Sequence, residues 1–305
     1  MIYPKVALIG MGLIASSMAL AIRKTDSAEQ IIGYSRSETT RARAGELGLA
    51  DIMVEQPEAA VEDADLVVLC TPVCSFESLV RRIAPQLKRG ATLSDVGSVK
   101  GHVVRHVAPL VPDGVDFLPA HPIAGTEESG PDAGFADLFT NRWCILTPPQ
   151  EVNMAALQRL MDFWQKLGTH VEIMDAERHD VVLAVTSHVP HLIAYTMVGV
   201  ADHLHRVTNS EVIQYSAAGF RDFTRIAASD PVMWRDVFLT NKDATIDILG
   251  RFSEELHALQ RAVRLNDGVM LEEYFHRTRQ IRKGVIEAGQ DTKETDFGRH
   301  SGVPD

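Results

Sequence analysis

Cysteine is scarce in this 305-residue chain: Cys70, Cys74 and Cys144 are too few and too irregularly spaced for a disulfide framework or a zinc site. They read as packing residues of a protein kept in a reducing compartment, so a cytoplasmic location is expected. Positive charge is short as well. Lys and Arg number 30 against 41 Asp and Glu, a formal net charge of −11, and nucleic-acid binding leans on the opposite balance. No nucleic-acid partner is expected. The chain opens without a basic segment, an apolar stretch and a small-residue cleavage site, so no signal peptide is expected. Its longest apolar run, LIAYTMVGVA from Leu192 to Ala201, is half of the ~20 residues a spanning helix needs, which argues against a membrane partner. Neither an internal repeat nor a low-complexity segment is present.

What remains is an ordinary globular composition, 45% hydrophobic and 23% charged, in a chain long enough for two domains. Up to Pro149, short β-branched runs alternate with helical stretches: VALIG (Val6 to Gly10), IIGYS (Ile31 to Ser35), LVVLCTP (Leu66 to Pro72), TLSDVGS (Thr92 to Ser98), DFLPAHP (Asp116 to Pro122) and WCILTPP (Trp143 to Pro149). Continuous apolar runs joined by helical crossovers predict buried parallel strands. Residues 1–150 are therefore expected to form a doubly wound α/β domain of the Rossmann type. After one more strand, HVEIM from His170, helical patterns dominate, so residues 151–286 are expected to form an all-helical domain. In it Ile246, Leu249, Phe252, Leu256, Leu259 and Val263 recur at three- and four-residue steps. This apolar stripe either joins two copies in a homodimer or packs within its own chain. Residues 287–305, polar and without periodicity, are expected to be a flexible tail.

The first strand runs straight into GMGLIASS. Gly10 suits the tight turn, Gly12 the close approach of backbone to a pyrophosphate, and Ala15 close strand-to-helix packing. Leu13 and Ile14 open the helix whose free N–H groups and dipole would face the phosphates. The alternative is a glycine turn used only for packing. Thr71 and Pro72 stand at the carboxyl end of a later strand, where open sheets hold ligands; the alternative for Thr71 is a turn role. Ser98 and Lys100 follow the next strand on the same edge. At the end of the second strand, an acidic residue would hold the ribose hydroxyls of NAD. Ser35 and Arg36 stand there instead, a hydroxyl and a cation suited to the 2′-phosphate of NADP. Arg36 could equally stack on the adenine, in which case NAD would also serve.

His121, in HPIAGTEESG, sits at a strand end followed by proline and glycine, displayed at the ligand edge. Imidazole titrates near neutrality and suits taking a proton from an alcohol while hydride leaves to a nicotinamide. Arg221 and Arg225 lie four apart and would share a helical face. His188 and His191 are three apart on a helix, but no third ligand stands at a supporting spacing, so no metal is expected.

Six stretches in order, GMGLIASS, SDVGSVK, HPIAGTEESG, ERHDVVLAVTSHVPHLIAY, AAGFRDFTRIAASDPVMWRD and Asn241-Lys242, resemble the prephenate and arogenate dehydrogenases of tyrosine biosynthesis, the cyclohexadienyl dehydrogenases. The resemblance covers both expected domains. It implies NAD(P)-dependent oxidative decarboxylation: hydride leaves C4 of a cyclohexadiene, carbon dioxide departs and the ring becomes aromatic. It makes His121 the base on the 4-hydroxyl, and Ser98 the residue that orients that histidine or the hydroxyl. It gives Arg225 the ring carboxylate, a task for a guanidinium fork. His179 and His191 become substrate-side hydrogen-bonding residues, with His188 structural. Thr126 and Glu127 face the side chain that separates prephenate from arogenate. Asp222 and Trp234 match positions near the pocket, with a structural salt bridge and a core aromatic as the alternatives. Neither a regulatory ACT-type domain after residue 285 nor chorismate mutase helices before the first strand are expected, so any tyrosine feedback is expected at the active site. Two rival readings are another two-domain dehydrogenase of the β-hydroxyacid or imino-acid type and a silent NADPH sensor; fold analogy alone separates neither.

Overall fold

The computed structural model describes residues 1–203, 211 and 215–287. Two compact units divide the chain, Met1–Ile246 and Asp247–Asp305. The first opens with a parallel sheet: β1 (Tyr3–Ile9), β2 (Ala28–Tyr34), β3 (Ile52–Val54), β4 (Leu66–Leu69), β5 (Thr92–Asp95) and β6 (Asp116–Phe117), in the order 3-2-1-4-5-6. This is the doubly wound order whose switch point lies between β1 and β4. The short β3 was not foreseen from the sequence; three residues give too little pattern to read.

Alternation along each strand builds two cores. Val6 and Leu8 of β1 and Leu66 and Val68 of β4 face one side. Ala7, Ile9, Val67 and Leu69 face the other. Helix α1 (Leu13–Thr25) covers the first side with Ala15, Met18, Ala19 and Ile22. After α2 (Glu38–Glu46) and α3 (Pro57–Val61), helices α4 (Phe76–Ile83) and α5 (Lys100–Val107) cover the second with Phe76, Val80, Ile83, Val103 and Val107.

The stretch DFLPAHP is not the single parallel strand expected. Leu118 still donates to Leu93 O at 2.9 Å, but Pro119 has no N–H to continue that ladder, and its carbonyl accepts instead from Thr147 N at 2.9 Å. The chain thereby changes sheets. β7 (Ala120–Pro122) pairs antiparallel with β8 (Trp143–Leu146), which pairs in parallel with β9 (His170–Ile173). Trp143–Leu146 is thus also outside the parallel sheet, contrary to expectation. The boundary expected at 150 falls between β8 and α6 (Met154–Lys166); α6 sends Leu157, Leu160, Phe163 and Trp164 into the same core as α1.

A continuous helical run follows: α7 (Ala176–Leu183), a π-helical turn at Ala184–His188 and α8 (Val189–His203). Then come α9 (Ala218–Thr224), a 3₁₀ turn (Arg225–Ala228), α10 (Pro231–Thr240), α11 (Lys242–Leu265) and α12 (Gly268–Glu287). Among the described residues, Ala176–Ala201 is the one helix long and apolar enough to cross a membrane by length and composition, a longer run than the sequence segment Leu192–Ala201 suggested. Ile246, Phe252, Leu256 and Val263 of the apolar stripe are exposed. Positions 288–305 of the expected tail lie outside the described residues.

Candidate active site

At the head of α1, Gly10 adopts φ +107°, and an added Cβ would lie 2.7 Å from Thr71 Cγ2 and 3.0 Å from the Cys70 backbone. Only glycine fits. Gly12, by contrast, is the N-cap, with no side-chain cap and nothing within 4 Å of where a Cβ would stand. The first N–H groups of a 13-residue helix, with no acidic residue in the first turn, therefore open onto free space. Leu13 and Ile14 are half-buried beside it. That cradle fits a dinucleotide pyrophosphate. Thr71 Oγ1 bonds Ser75 Oγ at 2.7 Å, and Pro72 starts the 3₁₀ turn before α4, its carbonyl accepting from Ser75. At the end of β2, Arg36 is exposed, and Arg41 donates through Nη1 to Ser35 O at 2.9 Å and Arg36 O at 3.0 Å.

His121 lies on β7, 8% exposed, with Nδ1 2.9 Å from His179 Nε2. His179 is fully buried on α7, its Nδ1 2.9 Å from Asp180 Oδ1. Asp180 serves two masters. Its carboxylate accepts from Lys100 N at 2.7 Å and Gly101 N at 2.8 Å, capping α5 in place of the side chain that Val99 cannot offer.

These contacts order the protons. A carboxylate oxygen accepts, so His179 Nδ1 donates to it; neutral His179 then accepts at Nε2, so His121 Nδ1 donates. His121 Nε2 keeps its lone pair. Burial, then the neighbouring His179 and Lys100, hold the His121 imidazolium well below the ordinary histidine range. Burial likewise lowers His179, opposed by Asp180. Both rings are neutral at physiological pH, and the outer one is a ready proton acceptor.

Beneath them lies a fully buried ion pair. Lys100 Nζ meets Asp95 Oδ2 and donates to Ala120 O at 2.7 Å, while Asp95 Oδ1 accepts from Ala120 N at 3.3 Å. The residue preceding His121 is thus held at both backbone groups. Burial lowers the Lys100 ammonium, and Asp95 opposes that.

Arg225 Nη1 bonds Glu127 Oε2 at 2.7 Å, so the two side chains meet across the chain. Thr126 is exposed, its hydroxyl accepting from Glu128 N. Trp234, 6% exposed, stacks on His191 with ring centroids 3.6 Å apart and an angle of 23°. His191 in turn bonds Ser187 O at 2.9 Å, and burial lowers its pKa. Ser98 is half-buried between β5 and α5. It is His179, and not Ser98, that bonds His121 Nδ1. Arg221 is exposed on α9, and Asp222 is half-buried there and has a partner. Among the described residues, no group of three or more His, Cys, Asp and Glu side chains is placed to hold a metal.

Asp180 and Asp95 carry no expected role from the sequence, and Asn241 enters there only as part of the family resemblance. The adjacent His179-Asp180 pair was the one available signal.

Comparison with known proteins identifies the family. The family model for the nucleotide-binding domain of prephenate dehydrogenase matches residues 18–173, and that for its dimerisation domain matches residues 175–277. Cyclohexadienyl dehydrogenase of Zymomonas mobilis is 39% identical over 92% of this chain and 96% of its own length. Prephenate dehydrogenase of Bacillus subtilis is 34% identical over 92% of this chain and 76% of its own. A crystal structure of prephenate dehydrogenase from A. aeolicus, in complex with hydroxyphenyl propionate and NAD⁺, superposes with a TM-score of 0.85 at 32% identity, covering 92% of this chain and 98% of that one. With an α/β nucleotide-binding part and a helical part, each matched by its family model, this chain belongs to the prephenate dehydrogenase family of NAD(P)-dependent oxidoreductases.

Proposed function

We propose that the chain oxidises and decarboxylates prephenate to 4-hydroxyphenylpyruvate, with His121 as base. The observation that carries this reading is the chain Asp180–His179–His121, which leaves a neutral imidazole nitrogen as acceptor. Gly10, Gly12, Leu13 and Ile14, with Thr71 and Pro72 alongside, would hold the dinucleotide, which when bound would supply the hydride acceptor for C4. His121 Nε2 takes the proton of the 4-hydroxyl, and Ser98 hydrogen-bonds that oxygen. Arg225 leaves Glu127 for the ring carboxylate, whose C–C bond to the ring breaks to release carbon dioxide; the freed electron pair makes the ring aromatic, and the C4 oxygen takes the proton back from His121. His191, backed by Trp234, and Thr126 line the side-chain end of the substrate, and Asp222 borders the pocket. The division of labour is a dinucleotide half built on the parallel sheet and a substrate half built on the helices.

Ser35 and Arg36, on a loop that Arg41 braces, favour NADP over NAD. The exposed apolar side chains of Val181, Val182, Val185, Met197, Val198 and Val200 fit a helix packed against a second copy rather than lipid, as do those of the stripe on α11. The working form is a homodimer, in the cytoplasm. Initial rates with prephenate and arogenate, each with NAD and NADP, test the reading. Turnover of prephenate, fastest with NADP and abolished in His121→Asn, is expected. No turnover of either substrate would overturn it.

A further inference from the structure

Asn241, at the junction of α10 and α11, belongs to a motif that the reaction above does not use. It is 5% exposed, and its Nδ2 lies 2.9 Å from Asp180 O and 3.0 Å from His188 Nδ1. A carbonyl oxygen only accepts, so the group facing Asp180 O is the amide NH₂, and the Asn241 side chain has one orientation. Its second hydrogen then points at His188 Nδ1. That nitrogen must be the acceptor, and the proton of His188 must sit on Nε2. His188 is fully buried at the end of the π-helical turn, and its Nε2 makes no hydrogen bond among the described residues, although the backbone of Ser98 favours a proton on the ring. Asp180 and His179 of α7 and His191 of α8 are the other titratable groups that act on it, and burial takes its pKa down to about 4.

We propose that Asn241 is a positioning residue for the dehydrogenase reaction: by donating to Asp180 O and His188 Nδ1 at once, it fixes His188 as the neutral Nε2–H tautomer beside Ser98 and holds Asp180 under His179. This rests on the reaction assigned above. One side chain thereby ties α7, which carries the relay to His121, to the far side of the π turn, which abuts the Ser98 loop. The π turn matters here because its wider loop sets His188 one residue further along the helix than an α-turn would.

The test is the tautomer itself, read by long-range ¹H–¹⁵N correlation on ¹⁵N-histidine-labelled protein, with His188 assigned through His188→Gln. In the native chain, Nδ1 of His188 gives the signal of an unprotonated nitrogen and Nε2 that of a protonated one. In Asn241→Asp, a carboxylate faces His188 Nδ1 and draws the proton there. The kcat for prephenate falls by about tenfold to a hundredfold, the scale of loss when a catalytic group is displaced by up to about 1 Å, while KM and the dissociation constant for the dinucleotide stay within about threefold. Asn241→Leu, which fills a similar volume and donates nothing, replaces the aspartate variant if that fails to fold. A protonated Nδ1 in the native chain overturns the proposal, as does a fall in kcat without any change in the His188 signals. Absence of prephenate oxidation by the native chain would instead overturn the reaction assignment and leave the tautomer result standing.

Discussion

His121 sits in a chain of three side chains whose ends differ: a carboxylate anchored on two backbone amides at one end, an imidazole with a free lone pair at the other. Burial keeps that imidazole neutral below the pH at which histidine ordinarily gains a proton. The active form is deprotonated, so kcat/KM for prephenate should rise with pH through an apparent pKa below 6.5 and level off above it. A limb centred above 7 in a pH–rate profile would contradict a buried neutral base. In the function proposed above, Arg36 meets the cofactor alone. Losing a charge-assisted contact of about 1.5–3 kcal/mol, Arg36→Ala should raise KM for NADP roughly tenfold or more and change that for NAD less than about twofold; equal effects would count against phosphate recognition. His121 and Arg36 stand in short local patterns that name them as candidates in the sequence, whereas Arg225 enters through the family resemblance, and the partners of His121 and Arg225 lie 58 and 98 positions away. The contacts of Asp180 and Asn241 are not legible in the sequence, because their partners, Lys100, Gly101 and His188, lie 80, 79 and 53 positions away, and no local spacing records such pairs. His179 was expected to hydrogen-bond the substrate; it is instead fully buried, with its two ring nitrogens engaged by His121 and Asp180.

Elements were readable where burial imposed a period. The runs at β1, β2, β4 and β5 are apolar on both faces because helices cover both faces, and they stand where the alternation put them. The strand at Asp116–Pro122 was read as one because its residue types are uniform; a single missing N–H at Pro119 splits it between two sheets. The turn at the head of α1 separates fold from function. Gly10→Ala meets a left-handed backbone and the Thr71 side chain, and should destabilise the protein by roughly 1–3 kcal/mol. Gly12→Val meets open space and an extended backbone, and should cost under about 1 kcal/mol, yet weaken dinucleotide binding more than about tenfold. Thermal melting beside fluorescence titration with NADPH separates the two. Equal loss of stability in both variants would show that the Gly12 cradle serves packing rather than a pyrophosphate.

At the scale of the molecule, the histidine cluster sets a limit on acid tolerance. His121, His179, His188 and His191 are all held below the ordinary value by burial. The unfolded chain therefore binds protons that the folded chain refuses. Stability is complete above about pH 6.5 and falls as pH drops toward the folded-state values. For His188 alone the window runs from 6.5 to about 4, a loss of roughly 3 kcal/mol. Urea unfolding at a series of pH values through that window should show the decline, and a flat profile would mean that the cluster opens to water before it titrates. The helical part was foreseen as helical and apolar on one face, but whether that face met its own chain or another could not be read from periodicity, which is the same in either case. The exposed side chains of Ile246, Phe252, Leu256 and Val263 favour the second.

The stack of His191 on Trp234, centroids 3.6 Å apart, gives the molecule an optical readout. An imidazolium quenches indole emission far more than an imidazole does, and Trp234 is one of only three tryptophans in the chain. Trp164 lies in the core of the nucleotide half, and Trp143 stands on β8 beside His170. With Trp143 and Trp164 replaced by phenylalanine, the remaining emission would report the charge on His191 and any ligand that presses on it, in real time and without a dye. Substrate arrival could then be timed separately from the absorbance of the reduced nicotinamide, so that binding and hydride transfer become two signals instead of one.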